Sequence, residues 1–125
     1  MTDVIIIEKS GNIFKKTTNN IDKLWTLCNY RNENNFILIH TFYNDNYYYE
    51  IYGKEKGRNG SENLFKHNNL FKHKTYYGNF CCIKKIDSKV VNSNLDELNK
   101  LIINSNISLV NEIHEELELE EEAYL

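Results

Sequence analysis

Side chains able to act as nucleophiles or metal ligands include the three cysteines, Cys28, Cys81 and Cys82, and the histidines His40, His67 and His73. A thiol nucleophile needs a base beside it, and a metal ion needs ligands that converge. Cys81 and Cys82 are adjacent, so on a strand they point to opposite faces and do not chelate together. His67 and His73 reach one ion only if the segment between them folds back. His40 lies within an apolar strand pattern, where a hydrogen-bonded structural histidine is commoner than a base. No Cys-x-x-Cys, Gly-x-Ser-x-Gly or papain-like context surrounds any of these residues. The carboxylates form no evident catalytic pair, because many of them lie at the C-terminal end. These patterns predict a protein that is not an enzyme, with no catalytic residue, metal ligand or cofactor.

Gly53, Gly57 and Gly60 raise the question of phosphate binding. Their spacing is neither Gly-x-Gly-x-x-Gly nor Gly-x4-Gly-Lys-Ser/Thr, and no helix start follows a parallel strand here, so a nucleotide cradle is excluded. What they punctuate is more informative. The run Tyr47-Tyr48-Tyr49-Glu50-Ile51-Tyr52 is an aromatic strand that breaks into the basic loop Gly53-Lys54-Glu55-Lys56-Gly57-Arg58-Asn59-Gly60. Aromatic strand residues supply a rigid platform, and a Gly/Lys/Arg loop beside them is where a domain meets a partner. The candidate binding residues are therefore Tyr48, Tyr52, Lys54, Lys56, Arg58, Lys72 and Lys74. Cations interleaved with stacking rings are also what single-stranded nucleic acid requires. Gly57-Arg58-Asn59-Gly60 is similar to the core of the nucleic-acid-binding WGR domains, with Lys56 in the place of that family's tryptophan.

Charge is segregated along the chain. The last 14 residues, from Glu112, hold seven Glu and no Lys or Arg, so the first 111 carry 15 basic against 11 acidic side chains, a net of about +4. Leu117, Leu119, Tyr124 and Leu125 place apolar anchors among those glutamates. An acidic arm with such anchors suits a protein partner presenting a basic or apolar groove. The chain has no proline, so its turns rest on Gly, Asn and Asp. The odd, unframed cysteine count fits a reduced, cytoplasmic protein, and Val4-Ile5-Ile6-Ile7 is too short for a signal peptide. No run reaches membrane-spanning length, so no membrane partner is expected.

Positioning these residues requires one domain. Val4–Glu8 and Ile13–Thr17 flank Lys9-Ser10-Gly11-Asn12 as a hairpin. Ile21, Leu24, Trp25 and Cys28 share a helix face, with Asn19 and Asp22 as a loose capping box and Trp25 as the expected core anchor. Phe36–Tyr43 reads as a strand with Phe36, Leu38, His40 and Phe42 on one face. Asn44-Asp45-Asn46 turns into Tyr47–Tyr52, with Tyr47, Tyr49 and Ile51 on one side, and Lys74–Ile86 forms a further long strand. Ser93-Asn94-Leu95-Asp96 has the form of a cap before the stripe Leu95, Leu98 and Ile102. The expected fold class is α+β, a mostly antiparallel sheet with one face covered by one or two helices. Residues 1–110 form the compact domain and 111–125 an acidic tail, helical or disordered. Leu64-Phe65-Lys66-His67 recurs as Leu70-Phe71-Lys72-His73, a six-residue period matching neither a helix nor a solenoid unit.

Leu24-Trp25-x-x-Cys28, Asn34-Asn35-Phe36 and His40 are followed by Tyr52-Gly53-Lys54-x-x-Gly57-Arg58, Glu62-Asn63 and Tyr77-Gly78. In that order, with the acidic tail ending in Ala123-Tyr124-Leu125, the chain resembles a small uncharacterised family of giant nucleocytoplasmic large DNA viruses. Where that family carries prolines after the glycine loop, this chain has its Leu-Phe-Lys-His repeats. The resemblance implies a viral protein of the infected-cell cytoplasm or virion and carries no activity with it. Together these features predict a non-catalytic binding or accessory module, with the acidic tail as a protein-interaction arm. The alternative is a transcription-associated accessory binding single-stranded nucleic acid through the basic loop and its tyrosines.

Overall fold

The computed structural model describes residues 1–65 and 74–105. Val4-Ile5-Ile6-Ile7 explains the architecture. All four side chains are buried, and they alternate between two apolar layers: Ile5 and Ile7 enter one, Val4 and Ile6 the other. Phe80-Cys81-Cys82-Ile83 divides in the same way. A strand that is apolar at every position belongs where both faces of a sheet are covered. The fold is α+β, as expected, but both faces of the sheet carry an apolar layer rather than one.

The sheet is antiparallel, in the order β2-β1-β5-β4-β3, with β6 beside the end of β5. The strands are β1 (Thr2–Ile7), β2 (Ile13–Thr18), β3 (Phe36–Tyr43), β4 (Tyr48–Lys54), β5 (Tyr77–Ile86) and β6 (Lys89–Val91). A 3-10 turn (Ile21–Lys23) runs into α1 (Leu24–Leu27) on one face. A second helix, α2 (95–105), covers the other, burying Leu98 and Ile102 against Tyr49, Ile51 and Phe80. The β1–β2 and β3–β4 hairpins form where Gly11 and the Asn44 side chain make the turns. The β5–β6 hairpin rests on Asp87 and Ser88, both at positive φ, and was not read from the sequence. β5 begins at Tyr77 rather than Lys74.

Four local expectations are corrected. Cys28 and Leu24 are the buried members of the α1 face, whereas Trp25 is only half-buried. Three-ten winding over Ile21–Lys23 rotates Trp25 off the line that a regular helix would give it. The Asn19–Asp22 capping box does not form; Thr18 Oγ1 instead accepts from the Asn20 N–H. Asn94, not Ser93, caps α2, its Oδ1 accepting from the Glu97 N–H at 2.9 Å. In β3 a bulge between Leu38 and His40 shifts the phase. Leu38 pairs with Tyr52, while His40 pairs with Ile51 on the opposite face.

A buried polar link joins α2 to the sheet. The fully buried Tyr49 donates its hydroxyl to Glu97 Oε1 at 2.6 Å and accepts from the Asn94 N–H at 2.9 Å. Lys84 Nζ holds the same carboxylate oxygen at 2.8 Å and lies 4.4 Å from the Tyr47 ring centre. Burial, then the Glu97 hydrogen bond, pushes the Tyr49 phenol up.

Candidate binding cleft and sheet face

On the α1 side, the short helix covers β1 and β5 but leaves much of β3 and β4 open. The bulge in β3 decides which side chains appear there. Tyr43 faces Tyr48, Thr41 faces Glu50, Leu38 faces Tyr52 and Phe36 faces Lys54. Tyr43 is 77% exposed and Leu38 45%. The rings form two groups: Tyr43 with Tyr48, 5.9 Å between centres, and Phe36 stacked on Tyr52 at 6.1 Å with Tyr30 edge-on to Phe36 at 6.0 Å. Tyr48, Tyr52 and Lys54, three of the sequence-predicted residues, therefore lie on one face.

Two glycines allow close packing here, Gly53 on the opposite face of the sheet and Gly78 on this one. Gly53 lies inside β4, not at a turn, and a Cβ there would come 2.6 Å from the Phe80 ring. Gly78 has φ +67°, and a Cβ on it would collide with the Tyr30 hydroxyl. Tyr30 thus lies against the backbone of β5, and its ring receives the Lys54 ammonium 4.0 Å from its centre. Burial pushes the Tyr30 phenol up.

The basic loop is anchored at its base and open at its tip. Asn63 Nδ2 donates to the carbonyls of Ile7, Glu8 and Gly78, and Glu62 pairs with Tyr77. The Arg58 carbonyl accepts from the Ser61 N–H and hydroxyl, closing a turn in which Gly60 takes φ +89°. Lys56 and Arg58 are exposed at that tip, and no ion pair among the described residues holds them. Lys54 differs: it is half-buried on Tyr30 rather than solvated. Lys74 departs from the predicted surface. It lines a separate cleft with Glu62, Phe65, Tyr76 and Phe80, where the α2-side core reaches the surface. Lys72, His67, His73, most of the repeat and the tail residues Leu117, Leu119, Tyr124 and Leu125 lie outside the described residues.

Between α1 and the sheet lies a cleft of about 300 Å³ that the sequence did not reveal. The rings of Trp25, Phe36 and Tyr52 line it, with Ile83 and Val90 behind and Asp22, Glu33 and Lys85 as its charged groups. Glu50 accepts from Lys85 Nζ at 2.6 Å and from the Tyr52 hydroxyl at 3.2 Å. The hydrogen bond to Glu50 pushes the Lys85 ammonium up, and burial followed by the Glu50 charge pushes the Tyr52 phenol up. Of the cleft lining, the sequence had singled out Tyr52 as a binding residue and had assigned Trp25 to the core.

The thiols stay away from this surface chemistry. Cys81 and Cys82 do enter opposite layers, and Cys28 joins Cys81. Burial pushes Cys28 up to about 12 and raises Cys81 and Cys82 as well, so all three are held protonated. His40 lies edge-on to Phe42 at 4.5 Å, and burial lowers its pKa. Among the described residues, no three His, Cys, Asp or Glu side chains are grouped to hold a metal ion, and no helix is long and apolar enough to cross a membrane. The chain matches no protein-family model, no curated protein and no solved structure.

Proposed function

We propose that this protein is a non-catalytic binding module that meets a protein partner through the cleft between α1 and the sheet and the tyrosine-bearing face beside it. The observation that carries this is the exposure of that face. Leu38 and Tyr43 stand exposed on it, and Trp25, Phe36 and Tyr52 are half-buried around a cleft large enough to seat a side chain. Exposed aromatics in a concave, half-covered setting mark interaction sites more often than they serve stability. The acidic tail is a second arm toward the same partner. Seven glutamates raise the encounter rate with a basic surface, and Leu117, Leu119, Tyr124 and Leu125 anchor it. The setting proposed is the one implied by the resemblance to giant-virus proteins, an accessory in the host cytoplasm or virion.

A second reading has one observation in its favour: Tyr48, Tyr52 and Lys54 share a face that leads to the exposed cations Lys56 and Arg58. That combination suits single-stranded nucleic acid, with salt-sensitive affinity. Co-purification from its native cells with wild type and with Trp25→Ala/Tyr52→Ala, alongside gel shifts with single-stranded RNA and DNA at two salt concentrations, separates the two. A protein recovered with wild type and lost with the folded variant supports the module. A gel shift abolished by Lys56→Glu/Arg58→Glu, with no protein lost from the cleft variant, replaces it with the nucleic-acid reading.

A further inference from the structure

Building on the binding-module reading, we infer that the cleft between α1 and the sheet receives the cationic side chain of a basic peptide, a lysine or arginine. The lining supplies three aromatic rings, Trp25, Phe36 and Tyr52. The face of an aromatic ring carries negative potential and attracts a cation, tryptophan most strongly. This ring cluster already holds one such charge, since the Lys54 ammonium lies over Tyr30, which in turn abuts Phe36.

The charges left over point the same way. Lys85 is the one cation among the lining residues, and Glu50 occupies its ammonium at 2.6 Å. Asp22 and Glu33 also line the cleft, both exposed, and among the described residues neither has an ion-pair partner. The local balance is therefore negative beside three aromatic rings. A phosphate-bearing strand would bring its charge against Asp22 and Glu33, whereas a lysine would lay its apolar stem on the rings and its ammonium toward the carboxylates. The volume of about 300 Å³ is at the lower end for ligand sites and suits one long side chain. The same preference for a basic partner is built into the acidic tail, so body and tail would recognise one charge type.

Trp25 is the only tryptophan, so its emission reports occupancy of this cleft. The full chain is titrated with a short lysine-rich peptide, with the same peptide trimethylated at each lysine, and with the same peptide acetylated. The charged peptides should change Trp25 emission saturably. The acetylated one, matched in stem but neutral, should bind about 5- to 30-fold more weakly, the range of a partly to fully desolvated cation–π contact. Asp22→Asn with Glu33→Gln, both at exposed positions, should weaken the lysine peptide while leaving it tighter than the acetylated one, because the rings remain, and the circular dichroism spectrum should stay unchanged. Equal binding of acetylated and charged peptides overturns the inference and leaves an apolar docking cleft, so the module survives. A saturable Trp25 response to a single-stranded oligonucleotide instead of the peptides overturns it in favour of nucleic acid. Silence toward every probe overturns it as well, and removes the module too if the native partner is still recovered by Trp25→Ala/Tyr52→Ala.

Discussion

Tyr49→Phe removes one oxygen from the centre of the fold, and the surroundings of that oxygen set the cost. The hydroxyl belongs to a fully buried side chain, donates to Glu97 at 2.6 Å and accepts from the Asn94 N–H at 2.9 Å. A hydrogen bond to a charged group contributes about 1.5–3 kcal/mol, and a stranded buried donor costs about 1–3 kcal/mol. Asn94 and Glu97 both retain some access to water, which places the sum near the low end, at about 2–3 kcal/mol. For a chain of 125 residues that corresponds to a fall of about 8–12 °C in Tm. The loss should also depend on pH. Burial works against the Glu97 carboxylate, but hydrogen bonds from Lys84 and Tyr49 outweigh it and hold its pKa below the ordinary value. A depressed folded pKa contributes stability that is present above the unfolded value of about 4.3 and is lost as pH falls through the folded one. The gap between wild type and Tyr49→Phe, measured by urea denaturation at pH 7 and pH 3, should therefore narrow in acid. A loss under about 0.5 kcal/mol, or a gap independent of pH, would refute the role assigned to this link.

Leu24→Ala should destabilise by about 2–4 kcal/mol and Trp25→Ala by less than about 1.5 kcal/mol, because only Leu24 is packed in the core; the reverse order in urea denaturation would return Trp25 to the interior. Gly60→Ala and Gly78→Ala both place a side chain at positive φ, but only Gly78 also has Tyr30 in the way. The first should cost about 1 kcal/mol and the second about 2–4 kcal/mol, and equal costs would mean that Tyr30 moves freely. Reversing charge with Lys56→Glu/Arg58→Glu should leave stability within about 0.5 kcal/mol by thermal melting, since both side chains are exposed; a larger loss would show that the loop tip is part of the fold. Deleting Glu112–Leu125 should leave Tm nearly unchanged, and a fall above about 5 °C would make the tail part of the packed structure rather than an arm.

Strand and helix positions were legible in the sequence because their signals are local. Alternation in Tyr47, Tyr49 and Ile51 named the buried side of β4 correctly, and the Gly11 turn and the Leu98–Ile102 stripe located a hairpin and α2. Adjacent cysteines had to enter opposite layers once they lay on a strand. Even the second covered face had a sign, the unbroken apolar runs Val4–Ile7 and Phe80–Ile83, which suit only a strand buried on both sides. The candidate site was legible in part: Tyr48, Tyr52 and Lys54 share a face because they alternate along one strand. The cleft was not, because its lining comes from α1, β3, β4, β5 and β6, segments whose meeting depends on sheet order. A one-residue bulge in β3 sent Phe36 and His40 to different faces, and a three-ten turn swung Trp25 from the core toward the cleft. Such shifts cost little locally and are decided by what packs on either side, so period and composition cannot encode them, and tertiary contact does.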